Sequence, residues 1–264
     1  MRANRRQRLG GLGSGAVAAI AALAIALAAV PSPAAAAEGA SPSLDAVVDH
    51  VTQALGGKKA WDDTHYVKFS FAGRRTHWWD KWTGRHRVEG STREGQKYIV
   101  LENLNTREGK AWVDGQEVAA DKAKEWLDRG YGAWINDTYW LLMPYKLRDP
   151  GVNLAAAGEE TIDGKTYDKL ALSFGKVGLT PGDRYWAWID RGTGLMDRWA
   201  YVLQDQPADA APTVWKWEGW QRYGNVMLAP HRAQVGGDGK IELGDIAVPA
   251  ELPDSVFTSP APVQ

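Results

Sequence analysis

The chain has 264 residues, a formal charge of −1, fourteen tryptophans and no cysteine. The absence of cysteine excludes disulfides, thiolate metal sites, a cysteine nucleophile and an acylated lipoprotein cysteine, so packing alone must hold the fold. Without a net positive charge or a basic stripe, the composition also argues against a nucleic-acid partner.

In chain order, Arg2, Arg5, Arg6 and Arg8 precede an apolar run from Ala16 to Val30 and a small-residue stretch from Ala34 to Ala37. This is the pattern of a cleaved export signal spanning residues 1–37. A run of about 15 apolar residues falls short of the roughly 20 that a spanning helix needs. Arg5-Arg6 hints at twin-arginine rather than general secretion. Cleavage would leave 27 basic and 32 acidic residues, a formal charge of −5. No second apolar run of spanning length follows, so the expected product is periplasmic or secreted and not membrane-spanning after cleavage.

Residues 38–43 read as a linker. Leu44, Val47, Val48, Val51 and Leu55 then recur at helical spacing and stop at Gly56-Gly57, where glycine accepts the left-handed backbone of a helix end. From Thr64 the period becomes two. Strands are expected at Tyr66 to Ala72, Thr76 to Trp82, His86 to Ser91, Lys97 to Leu104 and Lys110 to Val113, joined by glycine-bearing turns as antiparallel hairpins. Ala119 to Leu147 favours helix, with Gly130 and Gly132 expected to split it in two. Its second half, Trp134 to Tyr145, is apolar and aromatic nearly all round, so it must be buried or cover a cavity.

A second meander follows at Asn153 to Ile162, Lys165 to Phe174, Arg184 to Ile189, Leu195 to Gln204, Thr213 to Tyr223, Met227 to Val235 and Lys240 to Val248. The turn Thr180-Pro181-Gly182-Asp183 suits type II geometry. The fold class is therefore mainly β with helices (α+β). It is a strongly curved antiparallel sheet or half-open β-barrel of about eleven strands, covered by the N-terminal helix and the helical insertion. Residues 44–258 form one domain, and 259–264 a flexible tail.

No nucleophile elbow, metal signature or cofactor motif occurs, so no catalytic residue, metal or cofactor is assigned. His77 and His86 read as an exposed cross-strand pair, and Asp80, Glu89, Glu102 and Glu218 as the solvent-facing halves of strands. Asn136-Asp137-Thr138 matches a glycosylation sequon that reads as chance. The tryptophans carry more information. Trp78 shares a face with Trp82, Trp186 with Trp188, Trp199 with Tyr201, and Trp215 with Trp217. Trp79 and Trp220 fall on the opposite parity, which Gly219 would correct if it marks a bulge.

The order of elements, and the ending Leu252-Pro253-Asp254-Ser255-Val256-Phe257-Thr258 with Pro260, resemble the LolA-like superfamily of outer-membrane lipoprotein-sorting proteins. Trp140-Leu141-Leu142-Met143-Pro144-Tyr145-Lys146-Leu147 and Val177-Gly178-Leu179-Thr180-Pro181-Gly182-Asp183 are similar to an uncharacterised branch of it. The resemblance implies a half-open barrel whose apolar cavity holds acyl chains during transport, with envelope proteins as partners. Arg74 and Arg75 stand in the strand region where the lipoprotein carrier has its latch arginine, but their surroundings do not match.

The expected function is thus non-enzymatic binding or carriage of a hydrophobic small molecule, a lipid or acyl chain. Trp78, Trp82, Trp186, Trp188, Trp215 and Trp217 are candidate cavity-wall residues. Trp134, Tyr139, Trp140, Leu142 and Met143 are candidate lid residues. Two alternatives are glycan binding through exposed tryptophan rows and an enzyme using a cavity acid such as Asp80 or Glu218.

Overall fold

A computed structural model of the chain describes residues 41–263; the expected export signal lies outside the described residues. Helix α1 (Leu44–Ala54) starts at Ser43, whose hydroxyl accepts from the N–H of Ala46 at 3.2 Å, the usual means of satisfying an orphan amide. It ends where expected. A side chain on Gly56 would come within 2.4 Å of the Asn225 carbonyl, so glycine is needed there for space as well as for its φ of +114°. A short α2 (Lys58–Asp63) follows; the glycine pair had hidden it in the sequence.

The first meander comprises β1 (Tyr66–Phe71), β2 (Arg75–Asp80), β3 (Arg85–Ser91), β4 (Lys97–Asn103), β5 (Glu108–Val113) and a two-residue β6 (Gln116–Glu117). Helix α3 (Ala120–Leu142) and a 3-10 turn at Met143–Lys146 then lead to the second meander. This consists of β7 (Val152–Ile162), β8 (Lys165–Phe174), β9 (Arg184–Asp190), β10 (Met196–Val202), β11 (Thr213–Glu218), β12 (Gln221–Tyr223), β13 (Val226–Leu228), β14 (His231–Gln234) and β15 (Lys240–Ala247). A one-turn α4 (Ser255–Thr258) ends it.

Thirteen strands form one antiparallel sheet in the order β6-β5-β4-β3-β2-β1-β15-β14-β11-β10-β9-β8-β7. The sheet exceeds the expected eleven strands and is not closed. The pairing of β1 with β15, which shifts register between Lys68 and Ser70, joins the two meanders. Gly219, at φ +76°, ends β11 rather than bulging it, and the Gln221–Leu228 hairpin leaves the main sheet as a separate two-stranded ribbon. A true bulge lies between Ala156 and Glu159 on the edge strand β7, with Gly158 at φ +95°. The Thr180–Asp183 turn is closed by the N–H of Asp183 on the Thr180 carbonyl. Gly182 is not in the left-handed region, so the turn is not type II.

Helix α3 connects one edge strand to the other and therefore has to cross the whole inner face; its 23 residues span about 34 Å. It is continuous, contrary to the expected break. Gly130 serves contact instead: a Cβ there would lie 2.7 Å from Glu102 Oε1 and 2.9 Å from Val100 Cγ1. Leu127 packs with Val88, Tyr98, Val100 and Ala111 near one edge, and Leu141 and Leu142 pack on Val67, Phe69 and Leu243 at the middle. Met143 and Leu147 join the valines of α1 over β8 to β11. At its C-terminal turn the buried Arg232 guanidinium donates to the Trp140 carbonyl and lies 3.5 Å from the Trp217 ring centroid.

The outer face is also covered. Trp78 packs with Tyr66, Val256 and Phe257. The fully buried Arg87 donates to the carbonyls of Val256 (3.1 Å), Ser259 (2.6 Å) and Ala261 (2.8 Å), so the segment expected to be a loose tail is fastened to β3. Arg87→Met keeps the apolar stem and removes these donors. It is expected to lower stability by about 2 to 4 kcal/mol and to open residues beyond Asp254 to limited proteolysis. An unchanged urea midpoint with an intact C-terminus would contradict this.

Candidate functional site

On α3, Tyr131, Trp134, Ile135, Thr138 and Tyr139 fall three and four residues apart and share one stripe. Opposite them, the inner-face residues Val152, Phe174, Tyr185, Trp199 and Tyr201 come from β7 to β10, and the loop Val177-Gly178-Leu179 closes one side. Between these surfaces lies a cavity of about 580 Å³. Its floor is locked edge to face. Trp140 meets Trp199 at 4.8 Å and 77° and Trp215 at 5.3 Å and 88°, while Tyr139 meets Tyr185 at 5.3 Å and 71°.

The polar groups of the cavity are few. Lys146 pairs with Asp149 at 2.5 Å. Asp183 is buried and accepts from the Thr180 hydroxyl at 2.7 Å, the backbone N–H of Gln204 at 2.8 Å and the Tyr185 hydroxyl at 3.3 Å. Burial, with nearby acidic and phenolic groups, raises the Tyr139 and Tyr185 phenols, so both stay neutral hydrogen-bonding groups. The indole N–H groups of Trp134 and Trp199, both in the wall, have no partner among the described residues.

A buried polar chain holds α3 in place. Asp137 accepts from Arg75 through both oxygens, at 2.6 Å for Nη2, and lies 2.8 Å from His77 Nε2. His77 Nδ1 is 3.0 Å from His86 Nε2, and His86 Nδ1 is 3.1 Å from Glu102 Oε1. Desolvation, against the pull of Asp137, lowers His77 to about 4. Neutral His77 then donates to Asp137 and accepts from His86. The last contact is a hydrogen bond only with one proton between His86 and Glu102. Arg75 offsets the charge of Asp137, so that carboxylate is not left unpaired inside the fold.

The expected site residues separate into groups. Trp134, Tyr139 and Trp140 line the cavity, whereas Leu142 and Met143 are buried in the helix–sheet core. Trp215 and Trp217 lie in the inner core around Trp199. Trp186 and Trp188 are on the outer face with Tyr167 and Ala200, and Trp188 donates to Glu160 at 2.8 Å. Trp78 is also outside, under the C-terminal segment. Trp82, 59% exposed, stacks on His65 at 3.9 Å and is the one exposed indole of the fourteen, so the tryptophan pairs form no exposed row.

His77, His86 and Glu102 were expected at the surface and are buried, because their strand parity faces α3. Asp80 is buried as well, on the outer side, where Arg85, His65 and the amides of Trp82 and Thr83 surround it; Glu218 is exposed. Sequence reading missed Tyr131, Ile135, Phe174 and Tyr185 as lining residues. The signal for Tyr185 was its alternation with Ala187 and Ile189, the apolar face opposite the Trp186/Trp188 pair.

No protein-family model matches the sequence, and no curated protein matches it. Among solved structures, the chain is similar to a DUF1329 family protein from Desulfovibrio piger. The TM-score is 0.45 at 14% identity, covering 82% of this chain and 98% of that one. It is also similar to a LolA superfamily protein from Nitrosomonas europaea, with a TM-score of 0.40 at 8% identity over 83% and 99% of the two chains. A third is the lipoprotein LppX of Mycobacterium tuberculosis, with a TM-score of 0.24 at 14% identity over 78% and 98%.

The polar chain predicts acid lability. The unfolded chain binds a proton at His77 near pH 6.5, the folded protein only near pH 4. Stability therefore falls as pH drops through that window, by about 3 kcal/mol. Asp137, whose burial is outweighed by Arg75 and His77 so that its pKa is lowered, extends the loss below pH 4. His77→Gln should start less stable but flatter between pH 6.5 and 4 in urea unfolding. Equal slopes for the two proteins would refute the assignment.

Proposed function

We propose that the protein is an exported, non-enzymatic binding protein that takes a hydrophobic molecule, an acyl chain or lipid, into the cavity beneath α3. The supporting observation is the cavity itself: about 580 Å³ walled largely by aromatic side chains, with polar groups such as Lys146, Asp149 and Asp183 in its lining. That volume and lining are those of a small-molecule site, where apolar burial supplies affinity and sparse polar groups set orientation. About ten buried methylenes would contribute roughly 8 kcal/mol before the cost of immobilising the chain. Export follows from the arginine-led apolar segment at the N-terminus, and delivery to or from an envelope partner is the role such a cavity serves.

The stripe on α3 makes that helix both wall and cover. Leu179, at the tip of the closing loop, is 57% exposed, and a ligand entering past it would meet Gly132 rather than a side chain on the helix. Ile135→Trp places an indole in the ligand's volume. A C12–C16 acyl ligand at 100 times its Kd should raise the stability of delipidated wild-type protein by about 2.7 kcal/mol. In the variant this gain should be largely lost. If no ligand of an acyl panel shifts the melting temperature or the tryptophan emission, the proposal fails.

A further inference from the structure

We infer that a second cleft, at the start of β1, binds a neutral saccharide whose apolar ring face rests on Trp82. The cleft holds about 640 Å³ and shares no lining residue with the cavity beneath α3, so the inference stands apart from the acyl reading. Five parts of the chain meet there: the end of α2, the beginning of β1, the turn after β2, the Gly224-Asn225 turn of the separate ribbon, and the segment that follows β15.

Large apolar rings are normally buried, and an exposed one is ordinarily free to rotate. Trp82 is exposed and fixed. One face is stacked on His65 at 3.9 Å and 12°, and His65 lies in turn on the buried Tyr66 at 3.7 Å. The ring N–H donates to the Asp62 carbonyl at 3.1 Å, and the backbone N–H of Trp82 donates to Asp80 Oδ1 at 3.1 Å, an oxygen 3.0 Å from His65 Nε2. The buried Asp80 carboxylate thus sets both the turn and the ring beneath the indole. What stays open is the other face of a ring already held in one orientation, so a ligand laid on it costs little further ordering.

The rest of the lining decides the ligand. Asp63, Asn225 and Glu251 border the cleft with His65, and no lysine or arginine does. Asp63 is engaged by Lys59, Asn225 gives only its backbone carbonyl, to Arg222, and the Glu251 carboxylate has no partner among the described residues. A phosphate or uronate would meet carboxylates with no free cation to offset them. A trimethylammonium ion is best held by rings on several sides, and here one indole face is open. A purely apolar ligand would strip water from Asn225 and Glu251 and return no hydrogen bond. A sugar suits both halves of the cleft. The C–H groups of one ring face pack on the indole, while its hydroxyls donate to Glu251 and exchange hydrogen bonds with the Asn225 amide.

The test titrates the full chain with chitotriose, cellotriose and maltotriose, and with trigalacturonate and choline for comparison, followed by ligand-observed NMR and tryptophan emission. At least one neutral trisaccharide should bind with a Kd of about 1 mM or below. Trp82→Ala should weaken it about tenfold and Trp82→Tyr, which keeps a ring, by less. Glu251→Ala, at an exposed position outside every helix and strand, should weaken it several-fold with the melting temperature unchanged, whereas Ile135→Trp in the other cavity should leave it unaltered. Sugar binding that survives both Trp82→Ala and Glu251→Ala, or that is lost in Ile135→Trp instead, would overturn the inference. So would tighter binding of trigalacturonate or choline than of every neutral sugar, or no sugar binding up to about 10 mM.

Discussion

The carboxylate of Asp137 is the constraint on which the rest of this structure depends. Apolar contacts alone allow a long helix to slide or roll over a curved sheet with modest cost, because one leucine can replace another. A buried charge cannot be moved so freely. Asp137 has to meet Arg75 and His77 from β2, and breaking such a buried pairing costs about 3 to 5 kcal/mol. Its position two residues from Ile135 and Tyr139 fixes which stripe of α3 faces β8 to β10. Rolling the helix by one residue would turn that stripe away.

The cavity follows from the same helix being close to the sheet at one place and held off it at another. Gly130 lets the backbone touch Val100 and Glu102, whereas Trp134 and Tyr139 keep it away from the floor beyond. The floor is a continuous aromatic cluster in which several rings meet near right angles, an arrangement that favours the positive edge of one ring on the negative face of the next, and others are tilted. Arg232 secures the far end by capping the helix and lying on Trp217. Contact, gap and second contact along one helix create a half-open space without closing the barrel.

Much of this was legible in the sequence, since periodicity of two and the glycine-bearing turns placed both meanders, and the aromatic run from Trp134 to Tyr145 marked the cover. What periodicity cannot say is which face of a strand is inside. Trp186 and Trp188 have the same alternation as Tyr185 and Ala187, and the larger rings drew the assignment although they lie outside. The same ambiguity made His77 and His86 look exposed. Polar residues are ordinarily the solvent side of a strand; here they are inside because Asp137, sixty residues away on a helix, satisfies them. Gly130 misled for a related reason: local propensity reads it as a break, and only the neighbouring strand reveals it as a point of contact.

An open sheet has two edges, and a long free edge is a template for pairing with another chain. The β6 edge is two residues long, but β7 has eleven. The bulge at Gly158 interrupts the regular spacing of β7's outward-facing amides and carbonyls, and Glu159 and Glu160 follow it directly. A second strand arriving there would have to match a broken register and desolvate two acids. The same kink that bends the last strand thus works against end-to-end aggregation, the hazard that leaving the barrel open would otherwise carry.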